Sequence, residues 1–154
     1  MEAGYLRPHE GTFGMSVAAE LKYNLQNNMN LGFRAETASL VKCKSCSADL
    51  QLFSVTYDFY FHNGNSPLAA FIGAGLGYYF CQVKEPSYDE NEVLKKINNP
   101  TGFIRTGFEL WRFRMSFAYN FIRKSGAENY ESRNNDYLSI AVGFYLGGGK
   151  WKKE

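Results

Sequence analysis

Between residues 12 and 23 the chain alternates without a slip. Phe13, Met15, Val17, Ala19, Leu21 and Tyr23 take one parity; Thr12, Gly14, Ser16, Ala18, Glu20 and Lys22 take the other. Side chains of a strand point to opposite faces at each step, so this segment reads as a strand with one apolar face and one polar or small face. The pattern recurs as far as Leu146 and predicts eight strands, at residues 2–6, 12–23, 29–38, 49–61, 69–81, 102–110, 113–122 and 137–147. The first of these is short and reads as an incomplete strand. No segment repeats with a period of 3.6, apart from a single helical turn expected near residues 92–97.

The connections alternate in length. Segments 24–28, 62–67 and 111–112 are short and mostly carry Asn, Gly or Pro, as hairpin turns do. Segments 39–48, 82–100 and 123–136 are longer and mostly polar or charged. In a meander this gathers every long loop at one end, the layout of a membrane-spanning barrel with short periplasmic turns and longer outer loops.

Sorting the strands by face sets the orientation. The apolar faces of strands two to eight hold no charged residue. The opposite faces hold Glu20, Lys22, Arg34, Glu36, Asp58, Arg105, Glu109 and Arg114, four acids against four bases. Small residues share those faces, among them Gly14, Ser16, Gly32, Gly73, Gly75, Gly77, Gly107, Ala118 and Gly143. An eight-stranded barrel is only just wide enough to be filled by side chains, so a row of aromatics would overfill it. Turned to lipid, each Arg or Lys would cost about 2–4 kcal/mol at the midplane; turned inward, equal numbers of each sign can pair. The expected fold is therefore all-β, an eight-stranded antiparallel up-and-down transmembrane β-barrel with its polar face inside. The alternative is a soluble, lipocalin-like carrier with the apolar face lining a cavity.

Bulk composition narrows the classes further. The 154 residues suit one domain, with 148–154 as a C-terminal tail. No window approaches the roughly 20 apolar residues of a transmembrane helix; the longest nearly uncharged run, 68–83, still alternates. A net charge of +2 and the lack of a basic stripe with stacking aromatics argue against nucleic acid. The first residues have neither the charged nor the apolar region of a signal peptide, so export of such a barrel implies a signal already removed. Three cysteines cannot all pair within one chain, which excludes a disulfide framework.

The segments Phe71-Ile72-Gly73-Ala74-Gly75-Leu76-Gly77-Tyr78-Tyr79 and Tyr137-Leu138-Ser139-Ile140-Ala141-Val142-Gly143-Phe144-Tyr145-Leu146 resemble the strands of small bacterial outer-membrane barrels, the OmpA transmembrane domain and OmpX-like proteins. The resemblance covers nearly the whole chain. It implies a bacterial outer-membrane location, contact with membrane lipids and a monomer, and it says little of function, because that family has structural, adhesive and enzymatic members. The chain departs from the family pattern at its end, where Gly147-Gly148-Gly149-Lys150-Trp151-Lys152-Lys153-Glu154 follows in place of a terminal aromatic.

Candidate chemistry is sparse. The glycines 73, 75 and 77 lack the spacing and the helix of a nucleotide-binding loop; they read as lumen positions that admit Phe71, Tyr79 or an arginine from across the barrel. Cys43 and Cys46 fall in a long loop, and Cys81 at the same end. They are too few for a structural zinc site, and either Cys81 bridges to Cys43 or Cys46 in an oxidising compartment, or the thiols are free. Asp89, Glu90 and Glu92 read as a solvated loop beside Lys84, Lys95 and Lys96 rather than a calcium site. His9 and His62 fall at opposite ends and build no catalytic pair. No catalytic residue, metal or cofactor is expected; the long loops would carry any extracellular partner. Tyr23, Tyr57, Phe61, Tyr78, Phe80, Trp111, Tyr119 and Phe121 approach strand ends and could form two aromatic girdles.

Overall fold

The structure, a computed structural model, describes residues 1–8, 13–43, 46–62, 67–84, 94–122 and 136–144; side-chain surroundings are defined for these except 8, 40–43, 46–48, 62, 81–84, 94–97 and 122. Eight strands follow one another: β1 (Glu2–Pro8), β2 (Gly14–Gln26), β3 (Met29–Cys43), β4 (Cys46–His62), β5 (Leu68–Lys84), β6 (Leu94–Leu110), β7 (Phe113–Ile122) and β8 (Tyr137–Phe144). Each pairs antiparallel with its neighbours in sequence, and β1 pairs with β8 to close the barrel. The seam is tied at its end by hydrogen bonds in both directions: the Met1 amine donates to the Phe144 carbonyl over 2.7 Å, and the Phe144 N–H to the Met1 carbonyl over 2.9 Å. Among the described residues there is no helix.

The strands run further than alternation alone predicts. β3 and β4 stay paired up to Cys43 opposite Cys46, so most of the loop expected at 39–48 is ladder. β6 begins at Leu94, opposite Lys84, and Leu94–Ile97 are extended where a helical turn was expected. The cause is non-local: β5 offers N–H and C=O groups along this stretch, and a ladder satisfies them whatever the local pattern suggests. β6 can include Pro100 because its pairing with β7 starts only at Thr101, so no ladder bond is lost on that side. β1 reaches Pro8, two residues past the expected end.

One tight turn carries backbone strain. Trp111 joins β6 to β7 with φ at 57°, a left-handed conformation that a bulky residue adopts at a cost of about 1–2 kcal/mol. Its ring is 76% exposed at the short-turn end, where an amphipathic indole suits a membrane–water boundary.

Candidate functional site: a closed lumen inside an apolar wall

Alternation determines which side chains enter the barrel. The inner parity of β2 to β7 brings Glu20, Lys22, Arg34, Glu36, Asp58, Arg105, Glu109 and Arg114 into one continuous set of ion pairs around the axis. Arg105 stands at its centre. Its Nε and one terminal nitrogen donate to the two oxygens of Asp58, both over 2.8 Å, and its terminal nitrogens reach Glu20 over 2.6 and 3.0 Å. Arg114 donates to Glu109 over 2.7 Å and to Asp58 over 3.2 Å. Lys22 donates to Asp58 over 2.8 Å and to the Tyr60 hydroxyl over 2.7 Å; that hydroxyl in turn donates to Glu109 over 2.8 Å. Arg34 bonds Glu36 over 3.1 Å.

The set holds a ninth member that face-sorting missed. Glu2, on β1, accepts from Arg34, and its other oxygen lies 3.0 Å from the Arg114 Nε, close enough for an ion pair though outside hydrogen-bond geometry. Among the described residues the lumen therefore holds five carboxylates (Glu2, Glu20, Glu36, Asp58, Glu109) against four bases (Lys22, Arg34, Arg105, Arg114), which corrects the expected balance of four to four. The signal lay in the sequence: Glu2 shares parity with Gly4 and Leu6, and continuing the alternation through the first strand would have placed it inside.

Aromatic rings fill the space beside the charges. The Arg114 guanidinium lies 3.9 Å from the Phe71 ring centre, and Lys22 lies 5.4 and 5.7 Å from those of Tyr60 and Phe71. Glycines make room for them. A Cβ on Gly75 would meet the Phe103 ring, and one on Gly107 would meet Phe71 and the Met115 carbonyl. At the three glycines where Phe71, Tyr79 or an arginine was expected, the neighbours are instead Asp58 at Gly73, Phe103 at Gly75 and Ser54 at Gly77; Phe71 lies over Gly107.

A second, apolar layer lies towards the long loops. Leu6, Ala38, Leu50, Leu52, Tyr79 and Tyr137 form one buried apolar cluster there, with Leu6 at 0% exposure. Thr101 and Asn120 belong to the inner face as well, bonded to the Phe121 carbonyl and the Ser139 hydroxyl. Around Leu6, Leu50, Leu52 and Tyr137 the inner face is apolar, so the polar-inside pattern holds for part of the lumen's length and is mixed beyond it.

The outer wall is the reverse of a soluble protein's surface. Met15, Val17, Leu21, Leu31, Phe33, Val55, Ile72, Leu76, Ile104, Ile140 and Val142 are all exposed. Isolated exposed apolar residues need no explanation, but a continuous belt does. Aromatic pairs gather near its margins: Tyr78–Phe80, Phe53–Phe80, Tyr119–Phe121 and Tyr5–Phe13 towards the long loops, and Phe59–Phe61 and Phe113–Phe144 towards the short turns. Of the expected girdle residues, Tyr23, Tyr57, Phe61, Tyr78, Phe80, Trp111 and Phe121 are exposed on this wall, and Tyr119 is half-buried.

His9, Asp89, Glu90, Glu92 and the tail 148–154 lie outside the described residues, as do the side chains of His62 and the three cysteines. Backbone register alone sets Cys43 opposite Cys46 and Cys81 opposite Leu50. Cys81 is thus four residues out of step with Cys46, about 13 Å along the strand, where a disulfide needs Cα atoms about 4.4–6.8 Å apart.

No protein-family model matches the chain, and no curated protein matches it in sequence. Solved structures do match in shape. Neisserial surface protein A is 16% identical, with a TM-score of 0.69 over 92% of this chain and 91% of that one. The outer-membrane enzyme PagL is 11% identical, with a TM-score of 0.64 over 92% and 94%. The N-terminal β-barrel domain of Pseudomonas aeruginosa OprF is 14% identical, with a TM-score of 0.56 over 93% of each. At such identities the likeness is one of fold: this chain has the fold of the small eight-stranded outer-membrane barrels, in keeping with the OmpA- and OmpX-like resemblance of its strands.

Proposed function

We propose that this chain is an integral barrel of a bacterial outer membrane, monomeric and non-enzymatic, with a structural or surface-interaction role. The observation that carries the reading is the pairing of a buried ion network with an exposed apolar wall. Only a solvent of acyl chains makes that wall favourable, and only a packed lumen makes the charges tolerable. The lumen charges are paired with one another and the cluster around Leu6, Leu52 and Tyr79 is buried and apolar, which argues against a channel. Membrane lipids are the partners of the wall. An extracellular partner would meet the loops, and nothing in the chain favours nucleic acid.

The experiment is fractionation of cells expressing the full gene product, with gel migration of the detergent-extracted protein before and after heating. Recovery in the outer membrane with heat-dependent migration supports the proposal. Release into buffer without detergent supports the soluble carrier instead. PagL, similar in fold, is an outer-membrane enzyme; a competing reading of this chain, a lipid-modifying enzyme, predicts that His9→Ala abolishes a lipid modification, and unchanged membrane lipids in strains lacking or overproducing the protein would argue against it.

A further inference from the structure

On the β3–β4 wall both faces of the sheet exchange character at one register step. Below that step, towards the short turns, Phe33, Ala35, Phe53 and Val55 point outward while Arg34, Glu36, Ser54 and Thr56 point inward. The step itself is the pair Glu36–Leu52, the last inward charge among the described side chains of β3 opposite an inward leucine on β4. Above it, among the described side chains, the inward residues are Ala38 and Leu50, both buried like Leu52, and the outward ones are Thr37, Ser39, Asp49 and Gln51, all exposed. Thr37 pairs with Gln51 and Ser39 with Asp49, and the Ser39 hydroxyl donates to the Asp49 carboxylate over 3.1 Å. Asn98 on β6 is likewise exposed, opposite Phe80, while β2 keeps an apolar outer row through Met15.

An apolar interior under a polar exterior is the arrangement of a sheet in water, whereas a polar interior under an apolar exterior is that of a sheet in lipid. Two adjoining strands switch from one to the other at the same step. We infer that the β3–β4 wall leaves the acyl layer between Phe53 and Gln51, and that the surface made by Thr37, Ser39, Asp49 and Gln51 faces the hydrated headgroup layer of the membrane. This rests on the membrane-spanning reading above.

Length supports the placement. From Phe53 to Phe61 the outward row of β4 is apolar; at about 3.3 Å per residue and a tilt of about 40° it covers about 20 Å, most of an apolar band about 25 Å tall. Gln51 and Asp49 fall beyond it. Hydroxyl, amide and carboxylate groups there can exchange hydrogen bonds with water, sugar and phosphate, which acyl chains cannot offer. The aromatic pairs Phe53–Phe80 and Tyr78–Phe80 lie beside the boundary, where interfacial rings are enriched. The apolar cluster behind this wall then acts as the core of a short water-exposed barrel section built on top of the membrane section.

The test uses single tryptophans as depth probes. Trp111 and Trp151 are replaced by Phe, and Val55→Trp, Thr37→Trp, Ser39→Trp and Gln51→Trp are introduced singly, all at outward positions, with folding checked by heat-dependent migration. Each variant is inserted into phosphatidylcholine vesicles carrying bromines on the acyl chains. We expect Val55→Trp to lose at least half of its emission, and the other three to match their emission in unbrominated vesicles. Quenching of Thr37→Trp, Ser39→Trp and Gln51→Trp equal to that of Val55→Trp overturns the placement while leaving the barrel in the membrane. Absence of quenching at every position, Val55→Trp included, overturns the membrane-spanning reading itself.

Discussion

Arg105→Met is the sharpest probe of the lumen. The Arg105 side chain is 2% exposed and makes four short charge-assisted hydrogen bonds, two to Asp58 and two to Glu20. Methionine keeps much of the apolar stem and removes the fork. The lumen would then hold five carboxylates against three bases. Asp58 would keep Lys22 at 2.8 Å and Arg114 at 3.2 Å; Glu20 would keep Arg34 at 3.7 Å and the Thr56 hydroxyl at 2.6 Å. Removing one partner of a buried ion pair costs about 3–5 kcal/mol, because the other charge stays buried. Since both acids retain some partner, we expect a loss near the lower end, about 3 kcal/mol, or roughly a hundredfold in the folding equilibrium. Urea unfolding of the vesicle-inserted protein, followed by heat-dependent migration and tryptophan emission, reads this directly. The triple substitution Arg105→Met, Glu20→Gln, Asp58→Asn should recover most of the loss, because uncharged groups leave no orphaned charge. A single-variant loss under about 1 kcal/mol would refute the reasoning, since that is the range of an exposed pair. A triple variant no more stable than Arg105→Met would assign the loss to the stacking of the Arg105 guanidinium on the Phe103 ring, 5.6 Å from its centre, instead.

Glu109→Gln leaves four carboxylates against four bases, so at neutral pH it should cost less stability than Arg105→Met in the same urea titration, and an equal or larger cost would contradict the excess of acid. Gly107→Ala drives a Cβ into the Met115 carbonyl and the Phe71 ring and should destabilise by about 1–3 kcal/mol, whereas Gly102→Ala, whose Cβ meets only Leu76 and the Gly75 carbonyl at 3.3 and 3.4 Å, should cost less; thermal melting in detergent ranks the two. Planar-bilayer recordings should show no steady single-channel conductance in the native protein, and a Leu6→Ala, Leu52→Ala variant, which thins the apolar cluster across the axis, should conduct better than the native chain if either does.

Alternation alone determined the strand count, the antiparallel order and which parity of β2 to β8 faces the axis, because the period of two is a local property of extended backbone and a charged row cannot face lipid. It also determined that Glu20, Lys22, Arg34, Glu36, Asp58, Arg105, Glu109 and Arg114 share one side. Which of them touch was decided by closure. Arg105 on β6 meets Glu20 on β2 across the barrel, far apart in sequence, and only a closed ring of eight strands sets that distance. Closure likewise drew Glu2 into the network and gathered Leu6, Leu52, Tyr79 and Tyr137 from four strands into one plug, since inward residues become neighbours only when the sheet curls on itself. The full lengths of β3, β4 and β6 are tertiary too: their ends are held by partners across the ladder, and no local pattern records a hydrogen bond donated by another strand.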